Sequence, residues 1–231
     1  MLSMNLPTVV YCADIAPLHE ESFFAEAYRS VPSSRQQKVD RYRFPKDKFL
    51  SLGAGLLLQY AWRKHASSES PMPEICLGPF GKPFWVSSSL FFSLSHSGEK
   101  VVCAISGTEI GCDIEKAGTS PSLSVARRFF SEPEQLWLSS HPDSVNFTRI
   151  WTLKESFIKA VGKGLSLSLN SFSVCMEDSP VTYSHSLNIA SYLGYERGLQ
   201  EGYCCACCLP STSGPIPPEF CEISLSEALL D

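Results

Sequence analysis

The sequence predicts an α+β protein made of two similar halves with a cleft between them. Helical patterns and short strand-like runs are interleaved along both halves, not segregated. A length of 231 residues suffices for one large domain or two small ones with a real core. Gly and Pro punctuation separates short elements throughout, and no internal repeat is visible.

The first half opens with a strand over Thr8–Asp14 and a helical stretch over His19–Arg29. Ser33-Ser34 is expected to cap a basic helix from Arg35 to Phe44, and Pro45 resets the chain. Leu50, Ala54, Leu57 and Ala61 give helical spacing to Lys46–His65. Ser67–Pro73 reads as a loop, and Phe80-Gly81-Lys82-Pro83 as a turn. Two strands, Leu90–Ser95 and Val101–Ser106, flank a connection from His96 to Lys100. In the second half a short strand spans Glu109–Glu115 and an amphipathic helix Ser122–Phe130. Ser131-Glu132-Pro133-Glu134 starts another helix. Val145–Val161 is a strong helical pattern stopped by Gly162 and Gly164. Strands are expected over Ser171–Met176, Leu187–Leu193 and Gly202–Leu209, with a Pro-rich surface loop over Pro210–Pro218.

Composition narrows the function. A net charge of -5 offers no basic field for nucleic acid, so any anion site must be built locally. The first residues lack a basic n-region with an apolar run, and no stretch approaches the ~20 apolar residues of a membrane span. The ten cysteines raise two alternatives, a disulfide frame or zinc, yet no export signal accompanies them. Four fall in Tyr203–Leu209 without a second ligand pair at zinc spacing, so they read as a buried strand of small, soft residues. Reduced thiols point to the cytoplasm.

Four patterns carry candidate chemistry, each with a bland alternative. Asp113 and Glu115 stand two apart on a strand and share a face, as a hard divalent cation would require; exposed acids on an edge strand are the alternative. Thr148, Thr152, Glu155 and Lys159 form one polar stripe on a helix, and Glu155–Lys159 alone reads as a surface ion pair. Ser95-His96-Ser97 fits either a phosphate- or base-binding turn or a self-capped hairpin. Lys82, between Gly81 and Pro83, is either a phosphate ligand or a solvated loop lysine.

In order, GKP (Gly81–Pro83), FSLSHS (Phe92–Ser97), GCDIEK (Gly111–Lys116), RFFS (Arg128–Ser131), WTLKESFIKAVGKGLSL (Trp151–Leu167) and LNSFSV (Leu169–Val174) resemble the 4'-phosphopantetheinyl transferases of the surfactin-synthetase-activating type. The resemblance implies two similar α/β halves related by a pseudo-twofold, residues 1–107 and 108–231, with the active site in the cleft. It implies Mg²⁺ held by Asp113, Glu115 and Glu155, with Glu155 and Lys159 in catalytic roles. Coenzyme A, as co-substrate, would meet Arg35, Lys38, Ser51, Lys82, Ser95, His96 and Lys154. The first half would take its adenine and 3'-phosphate. The second would take the metal, the pyrophosphate and an acyl or peptidyl carrier protein. Arg127 and Arg128 beside Leu123, Phe129 and Phe130 read either as a mixed basic and apolar docking strip or as a core-packing helix with two solvated arginines. Many members carry an arginine three residues after the acid that corresponds to Asp47; here that residue is Leu50, and Lys48 is the nearest cation. Related short chains assemble as trimers, so the doubled length implies a monomer. The other readings are a catalytically silent module for coenzyme A or a carrier, a different magnesium nucleotide phosphotransferase and a cysteine-based metal protein. A silent module would expect a broken acid set, and no Gly-x-x-x-x-Gly-Lys-Ser/Thr loop is present.

Overall fold

A computed structural model of the chain describes residues 6–66, 70–118, 122–213 and 216–230. The first half runs β1 (Val9–Asp14), α1 (Glu21–Ser30), α2 (Ser33–Asp40), α3 (Pro45–His65), a hairpin of β2 (Ile75–Leu77) and β3 (Pro83–Trp85), then β4 (Phe91–Ser97) and β5 (Lys100–Ser106). The second runs β6 (Gly111–Lys116), α4 (Leu123–Phe129), α5 (Glu132–Ser140), α6 (Ser144–Val161), β7 (Phe172–Cys175), β8 (Val181–His185), β9 (Tyr192–Leu199) and β10 (Tyr203–Pro210). The chain closes with β11 (Glu219–Glu222) and α7 (Leu225–Leu230).

The two halves follow one plan, a sheet crossed by one long helix. The first sheet has the order β11-β1-β5-β4, and the second β6-β10-β9-β8-β7. Period two sorts β5: Val101, Cys103 and Ile105 join the core under α3, while Val102 and Ala104 face the other sheet. Likewise Ala206 and Cys208 of β10 pack under α6, while Cys205 and Cys207 meet Val10, Cys12, Val102 and Ala104 across the seam. The cysteines are therefore space-fillers between two sheets. Burial pushes the Cys12 thiol up to about 12, and Cys205 and Cys207 well above the ordinary thiol range, so they stay protonated and unreactive.

Several expectations are corrected. Pro32 is the N-cap of α2, and no serine side chain caps that helix. The helix stops at Asp40, short of Phe44, which precedes Pro45 and is held extended at φ -93, ψ 138, out of the helical region. Residues 187–189 form a tight turn, Ile189 N–H donating to the Leu187 carbonyl at 2.9 Å. The strand expected there is displaced onto β8 and β9. The C-terminal segment does not stay with the second half. β11 runs parallel to β1, and Leu225 and Ala228 of α7 enter the first core. Tyr60 Oη donates to Glu227 Oε1 at 2.9 Å, which fixes α7 on α3.

Candidate active site at the seam

The site lies where the edge strand of each sheet meets the other. β4 ends the first sheet and β6 ends the second. Gly111 opens β6 directly against α6. A Cβ placed there would lie 2.0 Å from the Ser156 carbonyl oxygen and 2.3 Å from Ala160 N. Only glycine allows that approach, and the approach carries Asp113 and Glu115 beneath Glu155 and Lys159. Gly111→Ala is expected to cost about 1–3 kcal/mol of stability through this overlap, read as a lower urea midpoint, with Asp113 displaced from α6.

The helix is itself well framed. Asp143 caps α6, accepting from Asn146 N at 2.8 Å, and Gly162 ends it at φ 73. Its polar stripe turns inward: Thr148 and Thr152 are buried and donate to the carbonyls of Ser144 and Arg149. Lys159 does not make the surface pair with Glu155. Its Nζ donates to Asp113 Oδ1 at 2.6 Å and to Ser95 Oγ at 2.9 Å. Ser95 Oγ donates to Asp113 Oδ1 at 2.7 Å, and Ser97 Oγ to Glu115 Oε2 at 2.6 Å. Ser97 was part of the turn motif, but its role emerges only from this cross-sheet contact.

The electrostatics are those of crowded acids. Burial first, then the charges of Asp113 and Glu115, push the Glu155 carboxyl up against the pull of Lys159. Burial likewise pushes Glu115 up, with Asp113 adding to the effect and the Ser97 hydrogen bond opposing it. For Lys159, burial works against the charge, but Asp113 with Cys112 and Glu155 together outweigh it and hold the ammonium above its ordinary value. Burial and then Lys159 keep His96 below the usual imidazole range, so it is neutral near pH 7.

Would these acids suit a divalent cation? As the side chains stand, no group of three metal-ligating residues is gathered closely enough to hold an ion among the described residues. The donor set itself fits. Asp113 is 3% exposed, and its Oδ2 is buried without a hydrogen-bond partner. Burial and neighbouring carboxylates push Glu115 and Glu155 up beside Asp113, and such an oxygen-rich, crowded set is one a hard cation relieves.

A second feature adjoins the acids. Arg35, Lys38 and Arg41 of α2 and its end line a cavity of about 610 Å³, walled also by Gly81, Pro83 and Phe92. Arg41 was missed, although its i+3 spacing from Lys38 was the signal. Arg35 Nη1 donates to the Ser51 carbonyl at 3.4 Å, and Ser51 Oγ is buried without a partner. Burial lowers the pKa of both Arg35 and Lys38. Leu50, at the position where the family often has arginine, is buried in the first core. The charges of both Lys159 and Lys38 act on His96, which links the acidic cluster and this cationic wall electrostatically. Lys82 is tied down instead: its Nζ donates to Glu109 Oε2 at 2.8 Å and to the Ala160 carbonyl at 3.4 Å.

Lys154 is a correction. It is fully buried on another face of α6, with Nζ 2.6 and 2.7 Å from the Glu134 oxygens and 2.9 Å from the Phe172 carbonyl. It cannot reach a ligand in the cleft. Burial lowers its pKa to about 8, against the pull of Glu134.

The facing edges β4 and β6 and the helix α6 thus hold one acidic cluster with a lysine, and α2 supplies a cationic cavity, a layout suited to phosphoryl transfer. Residues 109–208 match a model of the 4'-phosphopantetheinyl transferase superfamily, and residues 16–108 match one of the 4'-phosphopantetheinyl transferase N-terminal domain. The chain is 36% identical over 186 residues to the 4'-phosphopantetheinyl transferase gsp of Aneurinibacillus migulanus, covering 78% of this chain and 76% of that one. It is 30% identical to psf-1 of Bacillus pumilus, over 96% of this chain and 97% of the relative. To Sfp of Bacillus subtilis it is 32% identical, over 76% and 82%. The chain belongs to the 4'-phosphopantetheinyl transferase family.

Proposed function

We propose that this chain transfers the 4'-phosphopantetheine arm of coenzyme A to a serine of an acyl or peptidyl carrier protein. The observation that carries the reading is the junction of Asp113, Glu115, Glu155 and Lys159 at the seam, beside the cavity of Arg35, Lys38 and Arg41. Asp113, Glu115 and Glu155 would hold Mg²⁺, which when bound supplies charge neutralisation at the pyrophosphate. Arg35, Lys38 and Arg41 match the 3'-phosphate of coenzyme A, with neutral His96 under the charges of both Lys38 and Lys159. Lys159, held on Asp113 and Ser95, would offset the charge that develops on the phosphates.

In the reaction the serine oxygen forms a bond to the β-phosphorus as the pyrophosphate P–O bond breaks. The leaving group is 3',5'-bisphosphoadenosine. Glu155, the acid that α6 brings to the cluster, is the acceptor we assign for the serine proton. For the carrier, α4 presents exposed Arg127, Arg128 and Leu123. Phe130 leaves the expected docking strip because it is buried at 2% exposure, and Phe129 packs on Trp151. The surface is therefore more basic and less apolar than the sequence implied, as suits an acidic partner. No described helix is long and apolar enough to cross a membrane. We place the chain in the cytoplasm as a monomer, on its buried reduced thiols and its paired halves.

The test is intact-mass analysis of an apo carrier protein incubated with this chain, coenzyme A and Mg²⁺. The carrier should gain one phosphopantetheine mass, and EDTA should abolish the gain. An unchanged carrier across fatty-acid, polyketide and peptide types would overturn the reading.

A further inference from the structure

β4 and β6 are the facing edges of two separate sheets, joined by side-chain hydroxyls. Ser93, Ser95 and Ser97 recur at period two on β4, and each reaches β6. Ser93 Oγ accepts from Cys112 N at 3.0 Å. Ser95 Oγ donates to Asp113 Oδ1 at 2.7 Å, and Ser97 Oγ to Glu115 Oε2 at 2.6 Å. A serine has one proton to give. Ser97 Oγ also accepts from Lys116 N at 3.3 Å, so that proton is directed at Glu115. Ser95 Oγ accepts from Lys159 Nζ at 2.9 Å, which directs its proton at Asp113. These bonds engage Oδ1 of Asp113 and leave Oδ2 without a partner.

The turn carrying this ladder is anchored from the other half. Glu99 N–H donates to Tyr203 Oη at 2.9 Å. Gly98, at φ +58, has no room for a side chain because a Cβ would lie 2.1 Å from that oxygen. Tyr203 thus fixes the height of the β4–β5 turn, and the turn fixes Ser97.

We propose that Ser97 is a positioning residue for Glu115. It holds one carboxylate oxygen in register with Asp113, so that the seating of the first half on the second sets the spacing of the two acids. This rests on the proposed role of those acids as ligands of a divalent cation. A structural hydroxyl at the mouth of a hairpin would not need to meet an acid at the same two-residue step as its neighbour; the matched steps on β4 and β6 are what carry the assignment.

The experiment is Mn²⁺ titration of the full chain, followed by electron paramagnetic resonance, with Ser97→Ala and Ser97→Thr beside the unchanged protein. Thermal melts and coenzyme A affinity without metal are measured in parallel. Ser97→Ala should weaken Mn²⁺ binding roughly 10–100-fold and leave metal-free coenzyme A affinity as it was. Ser97→Thr, which keeps the hydroxyl, should recover most of the loss. Equal Mn²⁺ affinity in Ser97→Ala and the unchanged chain would overturn the proposal. So would matched drops in melting temperature and Mn²⁺ affinity in both variants, which mark a packing role. Absence of Mn²⁺ binding by the unchanged chain is a different failure, that of the metal reading itself, and takes this inference with it.

Discussion

Glu155→Gln is expected to slow transfer roughly 10²–10⁴-fold, the range for removing a positioned general base, while coenzyme A still binds. The substitution keeps volume and one acceptor oxygen but removes both the charge and the proton affinity. The cations of the candidate coenzyme A cavity, Arg35, Lys38 and Arg41, lie on α2 and its end and are untouched by the change. Two roles for Glu155 separate under saturating Mg²⁺. If it is only a ligand, excess ion restores much of the rate. If it takes the serine proton, the rate stays low and its rise with pH no longer follows a carboxylate. Without the ion, burial and the charges of Asp113 and Glu115 raise the Glu155 pKa, so its basic form is reached later as pH increases; a bound cation works against that shift. Full activity in this variant would remove Glu155 from the mechanism.

The largest stability effect is expected at the buried pair rather than at the acids. Glu134→Leu takes away the counter-charge that keeps Lys154 protonated in a site at 0% side-chain exposure for both partners, so the amine must either stay charged alone or give up its proton. Breaking such a pair costs about 3–5 kcal/mol, a large part of the roughly 5–15 kcal/mol that holds most domains together. Glu134 also accepts from Ser131 N and Val174 N at 2.7 Å each, so it ties α5, α6 and β7 to one another. Lys154→Met should cost less, because those two amides still satisfy the carboxylate. The double variant Glu134→Leu with Lys154→Met should recover part of the loss by removing the stranded charge, though it leaves both amides unpaired. Urea unfolding of the three variants gives this ranking directly. Equal midpoints for Glu134→Leu and the unchanged chain would show that the pair adds nothing.

How much of this was legible in the sequence depends on whether the signal was local. Asp113 and Glu115 share a face because a strand has period two, and the stop of α6 at Gly162 follows capping chemistry. Lys154 carries a local signal too, one that argues against the coenzyme A contact assigned to it. It continues the stripe Phe147, Trp151, Ile158 at helical spacing, which is the apolar face, and Glu134 three residues after Ser131 marks a capping box. A lysine on that stripe must find a buried partner rather than a ligand. The non-local features were not legible. Lys159 choosing Asp113 over Glu155 requires β6 to lie against α6, which the residues of the helix do not state. The return of β11 to β1 pairs residues from opposite ends of the chain through a four-residue strand of mixed character. Likewise the loss of Phe130 from the docking surface follows from its stacking on Phe147 at 5.2 Å, a contact between two helices.

The arrangement at the seam is most directly tested by anomalous X-ray scattering from crystals grown with coenzyme A and Mn²⁺. The account predicts one manganese peak per chain, within bonding reach of carboxylate oxygens from Asp113, Glu115 and Glu155 together. A peak elsewhere, with Glu155 directed away from the other two acids, would contradict it.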